Sequence, residues 1–231
     1  LNYSTAGEKN QAAIHPPIGR AFVNFFKEGT APVRLFWAVN LPPEVKEAIS
    51  ALQESLKGSG ADAKWVEREN LHLTVQFLGE VEEERLGALV EAGGAALQGW
   101  RAFTVSLEGL GAFPDFRRPR VLWLGVREGV EALREIHRAL SSAMAALGLG
   151  GEERAYVPHL TLARFRSARG LEAFTGKVKG LLSSPPAFGP LTVTSVDLME
   201  SRLTPRGPLY TLKAKIHLES ASKKGCAGDK V

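Results

Sequence analysis

The sequence predicts an α+β domain of two similar halves, and three observations carry that reading. Strand-like alternation and helix-like steps of three and four intersperse along one stretch, from Arg34 to His217. The tetrad His72-Leu73-Thr74-Val75 recurs as His159-Leu160-Thr161-Leu162. The chain has 231 residues, 44% hydrophobic and 23% charged, enough for a full core, and no linker-like segment divides that stretch.

Residues 1–33 form a leader without clear periodicity, broken by Pro16-Pro17, Gly19, Gly29 and Pro32, with one apolar piece at 21–26. A domain over 34–218 follows, and 219–231 is small, polar and charged, as a disordered tail would be. Leu35 to Val39 reads as a buried strand. Pro42-Pro43 then starts a helix, since proline is tolerated in a first turn. Val45, Ile49, Leu52 and Leu56 mark its apolar face, and Gly58-Ser59-Gly60 ends it. Lys64 to Val66 is a short strand, the first tetrad strand ends at Gly79, and 82–97 is a second helix with Leu86, Leu89 and Val90 inward.

Phe103 to Leu107 and Arg120 to Val126 alternate as strands do. Between them, Gly109 to Pro119 reads as a loop carrying Phe113, Phe116, Arg117 and Arg118. Aromatic faces beside guanidinium groups suit a stacked base and a phosphate backbone, which makes Phe113, Arg117 and Arg118 candidate RNA contacts. The plainer reading is a solvated basic loop with an aromatic plug. Val130 to Leu147 is the third helix, with Leu133, Ile136, Leu140 and Met144 buried and His137 beside that stripe as a structural or surface histidine. The second tetrad strand, a helix over 171–182, and strands over 191–199 and 209–218 complete the order. His15 and His217 lack the tetrad pattern and stay outside the candidate site.

In a strand, His72 and Thr74 fall on one face, roughly 6 to 7 Å apart, with Leu73 and Val75 turned into the core, and the second copy repeats this. A lone His-x-Thr is most often a structural pair. Two of only five histidines in matching tetrads is a different matter. Two facing strands of this kind offer two imidazoles and two hydroxyls, a phosphate site with two proton-transfer groups. An imidazole works as base when neutral and as acid when protonated at ordinary pH.

Other chemistries lack their patterns. There is no Cys pair, no His-Glu-x-x-His and no Asp-rich loop for a metal, and no phosphate loop or Lys-x-Asp-Gly for an ATP-consuming ligase. The net charge of +4 leans towards an anionic partner. A single cysteine, Cys226, no long apolar span and no signal-like start make a cytoplasmic protein without a membrane partner the expectation.

The paired tetrads resemble the signature of the two-histidine phosphoesterase superfamily. The opening strand Arg34-Leu35-Phe36-Trp37-Ala38-Val39, with Leu41-Pro42-Pro43-Glu44-Val45 after it, is similar to the RNA 2′,3′-cyclic phosphodiesterases, also called the 2′-5′ RNA ligase family. The resemblance covers about Arg34 to His217. It implies a bilobal fold, two pseudo-symmetric and largely antiparallel sheets backed by helices, with the tetrad strands lining a central cleft. It implies His72 and His159 as catalytic residues, with His159 favoured as base and His72 as acid, and Thr74, Thr161 and Arg164 as phosphate ligands. Arg164 lies five residues after His159, so strict alternation aims it away from the site, and a twist or bulge is needed to bring it back. The implied partner is RNA with a 2′,3′-cyclic phosphate end, tRNA fragments and nucleotides included, opened to a 2′-phosphate by a monomer with no cofactor and no metal. Any joining activity is expected to be ATP-independent 2′-5′ ligation, by reversal of phosphoester cleavage. The alternatives are a small-molecule cyclic nucleotide phosphoesterase and a non-catalytic RNA- or nucleotide-binding protein.

Overall fold

In a computed structural model, described over residues 31–150, 155–205 and 207–220, strands and helices alternate much as the sequence periodicity suggests. The order is β1 (Val33–Asn40), α1 (Pro43–Lys57), β2 (Ala63–Trp65), β3 (His72–Val81), α2 (Leu86–Ala96), β4 (Phe103–Phe113), β5 (Val121–Glu128), α3 (Val130–Ala146), β6 (His159–Phe165), α4 (Leu171–Ser183), β7 (Ala187–Val193), β8 (Ser195–Thr204) and β9 (Gly207–His217). The leader up to residue 30 and the tail from residue 221, with His15 and Cys226, lie outside the described residues.

Two antiparallel sheets result, one in the order β3-β1-β8-β9 and the other in the order β2-β6-β5-β4-β7. Helices α2 and α3 pack on the first sheet, α1 and α4 on the second. The chain crosses between lobes repeatedly: α1 leaves β1 for the other sheet, and α3 follows β5 but covers β3. Each lobe therefore draws on both halves of the sequence, and the tetrad strands β3 and β6 meet between the lobes.

The helices form where apolar residues line one face. In α3 the expected stripe of Leu133, Ile136, Leu140 and Met144 is fully buried, and in α1 Ile49 and Leu56 are buried, with Gln53 between them. Strand β1 is covered on both faces, Leu35, Trp37 and Val39 entering the main core while Phe36 and Ala38 join Met199 beneath the cleft. Helix α2 lies close on Trp37 because Gly93 has no Cβ; one added there would stand 2.7 Å from the indole.

Three expectations need correction. The strand from Phe103 does not stop at Leu107 but runs to Phe113, because its far half pairs with Val121 to Leu124 of β5. Phe113 is thus a strand residue rather than a loop residue. The apolar run 191–199 is two strands in different sheets: β7 pairs with β4, the chain turns at Thr194, and β8 pairs with β1. Alternation alone cannot reveal a change of sheet. Glu219 also belongs to the fold, since its backbone bridges Arg101 and bonds to Trp100 and Ala102.

Candidate active site

Each histidine is fixed by its own strand. The His72 Nδ1–H donates to the Asn70 carbonyl at 2.7 Å, and the His159 Nδ1–H donates to the Val157 carbonyl at 2.8 Å. A carbonyl has no proton to give, so both rings carry hydrogen on Nδ1 and turn Nε2 towards the cleft. Nε2 of His72 accepts the Thr74 hydroxyl at 2.9 Å. Nε2 of His159 has no hydrogen-bond partner among the described residues.

Aromatic rings hold the imidazoles in place. Phe36 and the edge of Tyr210 lie 5.0 and 5.3 Å from His72, ring centre to ring centre. Phe113 meets His159 edge-on at 5.1 Å, and Trp123 lies 6.1 Å away. Trp123 can lie flat across β4 because residue 111 is glycine, where an added Cβ would stand 2.1 Å from the indole. Burial favours the neutral ring. It pushes His72 down to about 4 against its bond to Asn70, with the Lys46 and His159 charges adding to the effect. Burial also lowers His159, against its bond to Val157 and with the Arg164 charge adding to the effect.

Both tetrad strands carry the same irregularity. In β3, Trp37 faces Gln76 and Ala38 faces Thr74, so Val75 is unpaired; in β6, Leu122 faces Ala163 and Trp123 faces Thr161, so Leu162 is unpaired. These are β-bulges, each three residues after its histidine, and each reverses the parity of the later strand residues. From the histidine onward both strands run half-buried, buried, half-buried, buried, buried, exposed. The sixth position is Phe77 in one and Arg164 in the other, and both line the cleft. The bulge is what brings Arg164 to the same face as His159 and Thr161.

A helix side chain pins each bulge. Gln53 of α1 is buried and donates from Nε2 to the Leu162 and Val66 carbonyls, both at 2.9 Å. His137 of α3 donates from Nδ1 to the Val75 carbonyl at 2.8 Å while stacking on Tyr156, whose hydroxyl donates to the Thr74 carbonyl. His137 is structural, as expected. Gln53 was not singled out by the sequence, where a lone glutamine on an apolar face has no signature.

The cleft has a volume of about 410 Å³ and brings together His72, Thr74, His159, Thr161 and Arg164. Its lining also includes Phe77, Tyr210 and the basic side chains Arg34 and Lys64, which pair with Glu80 and Glu67 at 3.4 and 3.1 Å. Sequence reasoning missed these four. Tyr210 reaches His72 because Asn70 donates to the Pro208 carbonyl at 2.8 Å, tying the β8–β9 hairpin to the start of β3. Of the loop candidates, Phe113 packs on His159 and Phe116 packs against the core. Arg117 and Arg118 line no part of the cleft: Asp115 accepts both backbone N–H groups at 2.7 and 3.1 Å and ion-pairs with the Arg117 guanidinium. Among the described residues no three His, Cys, Asp or Glu side chains gather into a metal-holding group, and no helix is long and apolar enough to cross a membrane.

A family model described as LigT-like phosphoesterase matches the chain twice, over residues 39–123 and 124–210, one tetrad in each match. The RNA 2′,3′-cyclic phosphodiesterase of Methanothermobacter thermautotrophicus is 37% identical over 179 residues, which is 78% of this chain and 95% of that protein. A crystal structure from Thermus thermophilus covers 82% of this chain and all of its own, with a TM-score of 0.67 at 30% identity. Escherichia coli LigT complexed with 3′-AMP covers 81% of this chain and 98% of its own, with a TM-score of 0.65 at 30% identity.

Proposed function

The chain belongs to the LigT-like phosphoesterase family, and from that premise we propose that it hydrolyses RNA 2′,3′-cyclic phosphate ends to 2′-phosphomonoesters by histidine acid–base catalysis without a metal ion. The observation that carries this reading is the pair of imidazoles locked through Nδ1, each with Nε2 towards one cleft. The relatives' names supply the substrate class.

His159 acts as base, because its Nε2 is open to a water. Water attacks phosphorus as its proton passes to that nitrogen. The bond from phosphorus to the 3′ oxygen breaks, and His72 Nε2–H delivers a proton to the departing oxygen. Thr74, Thr161 and Arg164 hold the non-bridging oxygens, where charge grows. Burial favours neutral His72 in the free protein, and the phosphate's negative charge favours its protonated form. Arg117 and Arg118 meet only an RNA long enough to leave the cleft. A 5′-hydroxyl in place of water takes the same steps in the same direction: its oxygen bonds to phosphorus, the bond to the 3′ oxygen breaks, and a 2′-5′ diester forms without ATP. A cleft of about 410 Å³ also favours a second reading, in which a free cyclic nucleotide is the substrate.

The test is hydrolysis of a short RNA with a 2′,3′-cyclic phosphate end in excess EDTA, with the product phosphate located by NMR. Wild type should turn over, and His72→Ala and His159→Ala should each lose about 10² to 10⁴ in rate while still binding nucleotide. Loss of wild-type activity in chelator, or a variant at near-normal rate, overturns the scheme. Equal kcat/KM for a nucleoside cyclic phosphate and for the RNA gives the second reading.

A further inference from the structure

Lys64 and Arg164 stand directly opposite each other on the neighbouring strands β2 and β6, and both line the cleft. Side chains paired in this way share a face, about 4.5 to 5.5 Å apart at Cβ, and two like charges so placed destabilise a sheet. Anions in the cleft remove that repulsion. Lys64 does have a partner, the Glu67 carboxylate at 3.1 Å, but the two side chains are 41% and 47% exposed. An exposed ion pair of this kind holds weakly, so a phosphate can take the place of the carboxylate. Gly207, at the start of β9, lies against the ammonium, and a Cβ there would stand 3.2 Å from Nζ. The hairpin thus limits how far the ammonium can swing from the cleft.

Two cations side by side ask for two anionic groups. A free nucleoside 2′,3′-cyclic phosphate has one, whereas an RNA end has a second, the phosphodiester on the 5′ side of its last nucleotide. We propose that Lys64 binds that phosphodiester while Arg164 holds the cyclic phosphate, so that the pair selects an RNA end over a free cyclic nucleotide. The proposal rests on the cyclic-phosphate reading of the cleft. A lysine suits the outer position, because a point charge on a flexible stem accepts a phosphate from many angles and reads no base. The competing role is structural, since Glu67 also accepts from the Asn70 side chain at 3.4 Å and so links Lys64 to the turn before His72.

The experiment measures kcat/KM on three substrates that each end in adenosine 2′,3′-cyclic phosphate: the mononucleotide, the dinucleotide, and the dinucleotide with a neutral methylphosphonate link. Wild type should favour the charged dinucleotide about tenfold over each of the other two, and lose that preference as salt rises. Lys64→Gln should bring the three values close to one another, and Lys64→Arg should keep the wild-type preference. Wild type that turns over the charged and neutral dinucleotides equally overturns the proposal. So does a Lys64→Gln protein that keeps the preference, including one slowed in equal proportion on all three substrates, which is the result a structural role gives. Wild type inert towards all three is failure of the cyclic-phosphate reading instead. Calorimetry with the two dinucleotides ending in a 2′-monophosphate then decides the contact: wild type must bind the charged one about tenfold tighter than the neutral one, and Lys64→Gln must not.

Discussion

Phe77 and Arg164 occupy the same place in two lobes: each stands five residues after its histidine, two beyond an unpaired residue, and each lines the cleft. Without the bulges at Val75 and Leu162, both side chains would point away from it. The site thus depends on two local departures from regular pairing, and each departure is held by a side chain from a helix, His137 in one lobe and Gln53 in the other.

Gln53 should therefore matter to turnover without touching substrate. Gln53→Leu keeps the volume but leaves the half-buried Val66 carbonyl without its side-chain donor, at a stability cost of about 1 kcal/mol. It also loosens the bulge that aims Arg164. Arg164→Ala should lower kcat/KM about tenfold to a hundredfold, the worth of a charge-assisted hydrogen bond. A double-mutant cycle on kcat/KM reads the coupling. Gln53→Leu should cost several-fold in wild type and almost nothing once Arg164 is alanine. Additive losses would mean that Gln53 acts on something other than Arg164.

The rate should be highest on the acid side. For kcat/KM the competent free enzyme has His159 neutral and His72 protonated. Burial lowers both groups, His72 to about 4, so above roughly pH 6.5 each further unit removes about tenfold of the protonated His72 form. The profile of kcat/KM from pH 4.5 to 9 should fall with slope near −1 across pH 7 to 9. A plateau through that range would show that His72 is not the acid, or that its environment does not hold it neutral.

Much of this arrangement could be read from the chain. The tetrads were legible because a repeat within one sequence needs no other sequence to reveal it, and the periodic stripes of α1 and α3 placed their buried faces. The bulges were not, since strict alternation treats Leu162-Ala163 as one residue in and one out, whereas both are buried. The double apolar pair was the available signal, and superposing the tetrads would have set Phe77 opposite Arg164. Tyr210 was out of reach for a different reason: it arrives through a hairpin tied back by Asn70, a contact between residues far apart in sequence. The split of 191–199 is likewise decided by which sheet has a free edge.

His72 should also make the protein less stable in acid. In the folded chain its imidazole stays neutral down to about pH 4, while in the unfolded chain it takes up a proton near pH 6.5. Between those values the unfolded state binds the extra proton, so the free energy of unfolding falls as pH falls, by up to about 3 kcal/mol from this group, and levels off below the folded value. Stability from the neutral ring is thus fully present above pH 6.5. Urea unfolding at pH 7.5, 6.5, 5.5 and 4.5 on wild type and His72→Gln isolates the contribution, because glutamine does not titrate and His159 is common to both. The difference between the two curves should shrink steadily from pH 6.5 to 4.5. Parallel curves would mean that the folded His72 titrates as it does in the open chain, and the acid limb argued for catalysis would go with it.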